Sequence, residues 1–199
     1  LNQGFDFSPL PYSKREIQAI SSHFKKDKID IYLEDNAKEE IIKKAPLKDY
    51  QIIHFACHGF LDGKIPFRSA LVLSLGKNRE EDGFLQVREI YNLRLNADLV
   101  VLSACQTGKG SLERAEGILG LPRVFFYAGA KSVLLTLWRI SDKATAIFMN
   151  HFYKGLSKGN DKAQALRLAK IKMINSNFSH PYYWAAFILN GDFASKLNF

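Results

Sequence analysis

The chain has 199 residues, 47% hydrophobic, 13% aromatic and 24% charged. That balance excludes general disorder, and the length suits one domain that buries about 70% of its unfolded surface without staples. The formal charge of +8 comes from Lys and Arg scattered among acids in "KREIQAISSHFKKDK", "EEIIKKAPLK" and "DKAQALRLAKIK". This is the pattern of solvated helix faces; with no basic run interleaved with aromatics, no zinc-finger spacing and no nucleotide fingerprint, direct nucleic-acid binding is not expected.

In chain order, "LNQGFDFSPLP" reads as a linker or the tail of a preceding region over residues 1–11, with one domain following over 12–199. Ile17, Ile20 and Phe24 recur at three- and four-residue steps behind Ser13, which predicts an amphipathic helix capped by that serine. "IDIYL" predicts a short strand, and "NAKEEIIKKA" a second helix with Asn36 as its cap and Pro46 beyond its end. "YQIIHFA", "SALVLSL", "DLVVLSA" and "KSVLLTLW" are continuous rather than alternating apolar runs, as expected of parallel strands covered on both faces. Helical patterns follow in "GILGLPRVFFYAGA", with a kink or restart expected at Pro122 and a stop at Gly129, in "DKATAIFMNHFYKGL" with a stop at Gly155, and in "NDKAQALRLAKIKMI". "YYWAAFILNGD" predicts an edge or near-edge strand. Strands alternating with helices imply a doubly wound α/β domain with a mainly parallel sheet covered by helices on both faces, and in such sheets chemistry gathers beyond the carboxyl ends of the strands.

Two of those strand ends carry reactive groups: "QIIHFACHG" ends in His58-Gly59, and "DLVVLSACQTGKG" in Cys105-Gln106-Thr107-Gly108. On neighbouring strands the imidazole and the thiol would face each other across the crevice. A free thiol is only a few per cent ionised at neutral pH, so a cysteine nucleophile needs a nearby imidazole to favour thiolate and to protonate the leaving amine. The separation of His58 from Cys105 is also close to the roughly 50 residues between His and Cys in caspases. With only two cysteines in the sequence, a disulfide framework is excluded and a reducing, cytoplasmic setting is expected. No apolar run of about 20 residues marks a membrane span.

Taken together, "IHFACHG", "LVVLSACQTG", "AEGILGLPRVFFYAGAKSVLLTLWRISD" and "HPYYWAAFILNGD" resemble, in this order, the motifs of the CHAT domains, relatives of caspases and separases. The resemblance runs from about residue 10 to residue 192. It implies a caspase-like three-layer α/β sandwich with a mainly parallel sheet and a Cys/His dyad cysteine endopeptidase acting on a protein or peptide substrate. Such domains are often controlled by an N-terminal tetratricopeptide or other repeat region, or here by a separate sensor. By resemblance His58 is the general acid/base and Cys105 the nucleophile, with the amides of Gly59 and Cys105 forming the oxyanion hole.

Other residues admit further readings. His54 and His58 stand four apart, a metal-binding spacing on a helix, whereas here a strand runs into a turn and no further carboxylate or Cys cluster joins them and Cys57; no metal and no cofactor is expected. His54 reads as a buried strand histidine that helps to orient His58, and Cys57 as a packed thiol. The "TGKGS" segment lacks phosphate-loop spacing and reads as a loop bordering the cleft. Trp138 and Asp142 follow a strand end and are candidates for the substrate pocket, although Asp142 with Ser141 also suits a helix start; Glu116 is a candidate to contact substrate or hold the loop. Ser103 stands where arginine- or lysine-cutting relatives carry Asp, which argues against basic specificity. The alternatives to an endopeptidase are a catalytically silent caspase-like interaction module and, more distantly, a flavodoxin-like nucleotide or signalling domain.

Overall fold

The computed structural model describes residues 9–60, 62, 65–75, 81–103, 105–106 and 114–199, with the backbone alone at 105–106 and 114–120. Most of the expected linker, residues 1–8, and the whole "TGKGS" loop lie outside the described residues.

The central sheet has four strands in the order β1, β5, β7, β8 (Ile52–Phe55, Leu99–Leu102, Ser132–Thr136 and Phe187–Gly191). The first three pair in parallel, and β8 closes one edge antiparallel to β7. Side chains of the buried middle strands alternate between two hydrophobic cores. Val100, Leu102, Val133 and Leu135 belong to one, and Leu99, Val101 and Leu134 to the other. Every position of β5 and β7 is therefore buried, which is why their sequences run apolar without alternation.

Three helices cover one face: α1 (Ser13–Ser21), α5 (Asp142–Ser157) and α6 (Lys162–Ile174). The other face is covered by α4 (Arg114–Tyr127), the short α3 (Val87–Ile90) and a second sheet in the order β4, β3, β2, β6 (Phe84–Gln86, Ala70–Val72, His58–Phe60 and Cys105–Gln106). The result is the three-layer caspase-like sandwich with a mainly parallel central sheet.

Several local expectations are corrected. "IDIYL" forms no strand, and Ile31 and Tyr32 are exposed, because no neighbouring strand offers them a ladder. The "SALVLSL" run yields β3, antiparallel to both neighbours and outside the central sheet; a continuous apolar run reports burial on both faces, not strand direction. Ser13 is the first helical residue rather than the cap, its hydroxyl donating to the Leu10 carbonyl. Asn36 ends a 3-10 turn, and α2 (Glu39–Lys44) starts beyond it. Pro122 sits within a single continuous α4. Gly155 lies inside α5, where a Cβ would come within 3.1 Å of Ala165 on α6, so its role is close helix approach and not termination.

Gly129 does end α4, at φ +110, and a Cβ there would lie 2.2 Å from the Leu95 carbonyl oxygen. That backbone is itself held by the Leu95 N–H donating to the Ala128 carbonyl at 2.7 Å. Gly129→Ala is therefore expected to cost more than about 2 kcal/mol. Gly159→Ala, at φ +78 in open space, should cost about 1 kcal/mol. Urea unfolding of both variants checks the contrast, and equal losses would mean that the contact with Leu95 relaxes freely.

Candidate active site

Strands β1 and β5 are parallel neighbours, so their carboxyl ends, Phe55 and Leu102, lie on one rim of the central sheet. Beyond that rim each chain segment enters the second sheet. The first re-forms as β2 from His58, the second as β6 from Cys105, and the two pair again in parallel. His58 and Cys105 are α-carbon partners, and Gly59 is the partner of Gln106. One strand spacing, roughly 4.8 Å, thus separates the two backbones. His58 is buried at 9% exposure, between Cys105 on β6 and Val72 on β3.

Behind this pair lies a buried polar relay, of which patterning singled out His54 but neither Glu16 nor Tyr153. Glu16, only 2% exposed on α1, meets His54 of β1, with Oε1 2.9 Å from Nε2, and His54 Nδ1 lies 2.9 Å from the Tyr153 hydroxyl on α5. Burial raises the Tyr153 phenol well above its usual range, so it keeps its proton. A tautomer with Nε2–H donating to Glu16 and Nδ1 accepting from Tyr153 satisfies all three groups. His54 is thus the buried, hydrogen-bonded strand histidine expected of it. A signal for Glu16 was present in the sequence: it stands four residues before Ile20, an acid on an apolar helix stripe.

Asp142 opens α5 and accepts a hydrogen bond of 2.6 Å from the Tyr12 N–H at the start of α1. Burial raises the pKa of its carboxyl; the Tyr12 hydrogen bond opposes that rise, the charge of Glu16 adds to it, and His58 opposes it. Asp142 therefore shares an electrostatic neighbourhood with both His58 and the relay. Its carboxylate is already engaged by the backbone of residue 12.

The remaining candidates are spread along the rim. Ser103 is buried just after β5, its N–H donating to the Phe55 carbonyl at 2.9 Å, while its hydroxyl lacks a partner among the described residues. Trp138 follows β7 and donates its indole N–H to the Tyr182 carbonyl at 2.9 Å, which ties it to the 3-10 turn Pro181–Tyr183. Glu116 lies in the first turns of α4, and its side chain is outside the described residues. Cys57 packs against the core, and burial pushes its thiol up to about 12, against the weaker pull of a hydrogen bond with the Val72 backbone. It stays a thiol at neutral pH.

A second ionisable cluster binds α2 to the β3–β4 region. The Lys43 ammonium lies 2.7 Å from Glu39, 2.7 Å from Glu81 and 2.8 Å from Glu89, filling the space between three carboxylates that a cation would otherwise take. Glu39 also accepts from the Gly83 N–H at 3.2 Å, and its carboxyl is raised from 4.5 to about 7, chiefly by burial. The folded state then holds a proton that the unfolded chain has released, so this contribution to stability is complete below pH 4.5 and lost as pH rises to about 7. Glu81 and Glu89 shift downward and act in the opposite sense below their ordinary range. Glu39→Gln, which keeps an acceptor for Gly83, should flatten the pH dependence of the thermal midpoint across that window. An unchanged slope in melts of the variant would assign the proton elsewhere.

The CHAT domain family model matches residues 1–192. Tetratricopeptide repeat protein 28 of Mus musculus is 39% identical over 109 residues, and its namesake of Homo sapiens is 36% identical over 108. Each match covers 54% of this chain but spans only 4% of the length of the relative. No described helix is long and apolar enough to cross a membrane. With the match running across nearly its whole length and a caspase-like sandwich behind it, the chain belongs to the CHAT domain family.

Proposed function

We propose that the domain is a cysteine endopeptidase. The Cys105 thiolate attacks the carbonyl carbon of a peptide bond, and His58 donates a proton to the departing amine. Water activated by His58 then hydrolyses the thioester, releasing the acid and restoring the thiol. The amides of Gly59 and Cys105 are assigned to the developing oxyanion. The observation that supports this reading is the β2–β6 register, in which His58 and Cys105 are backbone partners beyond the carboxyl rim of a parallel sheet. Ser103, small and neutral with a hydroxyl that has no partner among the described residues, supports a pocket for an uncharged or polar side chain over one for a basic side chain.

The test is digestion of a proteome-derived peptide library by the wild-type chain, with Cys105→Ala as control. Cleavage at a consistent residue that vanishes in the variant supports the peptidase; equal cleavage by both assigns the activity elsewhere. A silent interaction module is the second reading, favoured by relatives whose name describes repeat proteins and no enzyme. Those names also support a tetratricopeptide region as the controlling partner.

A further inference from the structure

Exposed aromatic residues converge from three elements that pack together on one face of the second sheet. Phe67, in the 3-10 turn Pro66–Arg68, is 59% exposed, and its ring lies 6.2 Å from that of Tyr91, just after α3. Tyr91 in turn lies 4.9 Å from Tyr127, the last residue of α4, which is 74% exposed. The three rings form a continuous strip, more than the isolated exposed apolar residues ordinary on any surface.

Arginine flanks every ring. Arg68 adjoins Phe67 in sequence, Arg88 lies three residues before Tyr91, and Arg123 lies one helical turn before Tyr127, which puts it on the same side of α4. All three are exposed, and none has a carboxylate within ion-pair distance among the described residues. The acid nearest in sequence, Glu89, is drawn away to Lys43 at 2.8 Å. The strip is therefore both apolar and uncompensated in charge, unlike the mixed helix faces elsewhere on the chain.

We infer that the Phe67–Tyr91–Tyr127 strip docks an acidic segment of a partner protein, in which carboxylates meet Arg68, Arg88 and Arg123 and intervening aliphatic side chains cover the rings. Aromatic anchors rimmed by arginine are the residue types that dominate protein interfaces, and guanidinium groups pair carboxylates bidentately. A nucleic acid fits less well. The Tyr91 and Tyr127 rings meet edge to face at 69° and the Phe67 and Tyr91 rings are tilted by 31°, so no two neighbouring rings present parallel faces to successive stacked bases. The strip is separate from the His58 and Cys105 pair, and its docking role does not depend on cleavage.

The test uses the chain carrying Cys105→Ala, so that no probe is consumed, and fluorescence anisotropy with a labelled peptide of about six residues alternating glutamate with leucine, ~20 Å when extended. The same peptide with lysine for glutamate and an oligothymidylate of equal charge are the comparators. Binding of the acidic peptide should weaken about tenfold or more in Arg88→Glu/Arg123→Glu, by a smaller factor in Arg88→Gln/Arg123→Gln, and severalfold in Tyr127→Ala. It should not change in Lys158→Glu, a charge reversal on an exposed residue at the end of α5. Amide shifts in NMR spectra should map to residues 67–68, 88–91 and 123–127. Binding the lysine peptide or the oligothymidylate as well as the acidic one, or undiminished binding by the Arg88→Glu/Arg123→Glu variant, overturns the inference.

Discussion

Cys105→Ala is expected to reduce peptide cleavage by roughly 10⁴-fold or more, because removing a nucleophile leaves only the binding and oxyanion contributions. His58→Ala should cost nearly as much, and the double variant little beyond either, since the two groups act as one unit. The two cysteines provide an independent reading of the same dyad. Burial holds the Cys57 thiol near 12, so iodoacetamide at neutral pH should leave it unmodified and add a single adduct at Cys105. In His58→Ala that alkylation should slow severalfold as the thiolate loses its partner. Mass spectrometry of the intact chain checks both points: two adducts at equal rates, or a Cys105 rate indifferent to His58, would leave the protein as a silent module on the same fold.

The second large effect belongs to the relay behind the dyad. Glu16→Ala should destabilise the chain by about 2 kcal/mol, because it removes one member of a nearly dry pair and leaves the His54 Nε2–H orphaned between α1 and the sheet. Replacing both partners by apolar residues, Glu16→Leu with His54→Phe, should recover most of the loss, since the cost lies in the orphaned group and not in the absence of a salt bridge. Equilibrium unfolding in urea measures the double-mutant cycle; a Glu16→Ala loss below about 1 kcal/mol would show that water reaches the pair. Because β1 continues into His58, the same variant should also lower cleavage more than its stability loss explains. The α1 segment reaches this region at two points, Glu16 to His54 and the Tyr12 N–H to Asp142.

Patterning along the chain was informative wherever burial is two-sided or one-sided in a regular way. The apolar runs at β1, β5 and β7, the stripes of α5 and α6 and the closing strand β8 are recoverable from residue order alone, the strands as short continuous apolar runs and the helices by their three- and four-residue steps. His58 and Cys105 were expected as the ends of those strands, whereas β1 and β5 stop at Phe55 and Leu102 and the two residues open β2 and β6. The elements β4 and α3 were not legible, since their three or four residues of mixed polarity carry neither a continuous apolar run nor a period.

By itself the sequence determined the three-layer class, the parallel core strands and the membership in a family whose motifs recur in order along it. Tertiary structure alone decided that β3 runs antiparallel in a separate sheet, that β2 and β6 meet with His58 opposite Cys105, that Glu16 and Tyr153 close on His54, and that three aromatic rings from distant segments form one strip. The division has a physical cause. Periodicity and strand-end chemistry are local properties of adjacent residues, whereas strand direction, register and the partner of a buried charge depend on which surfaces the folded chain brings into contact.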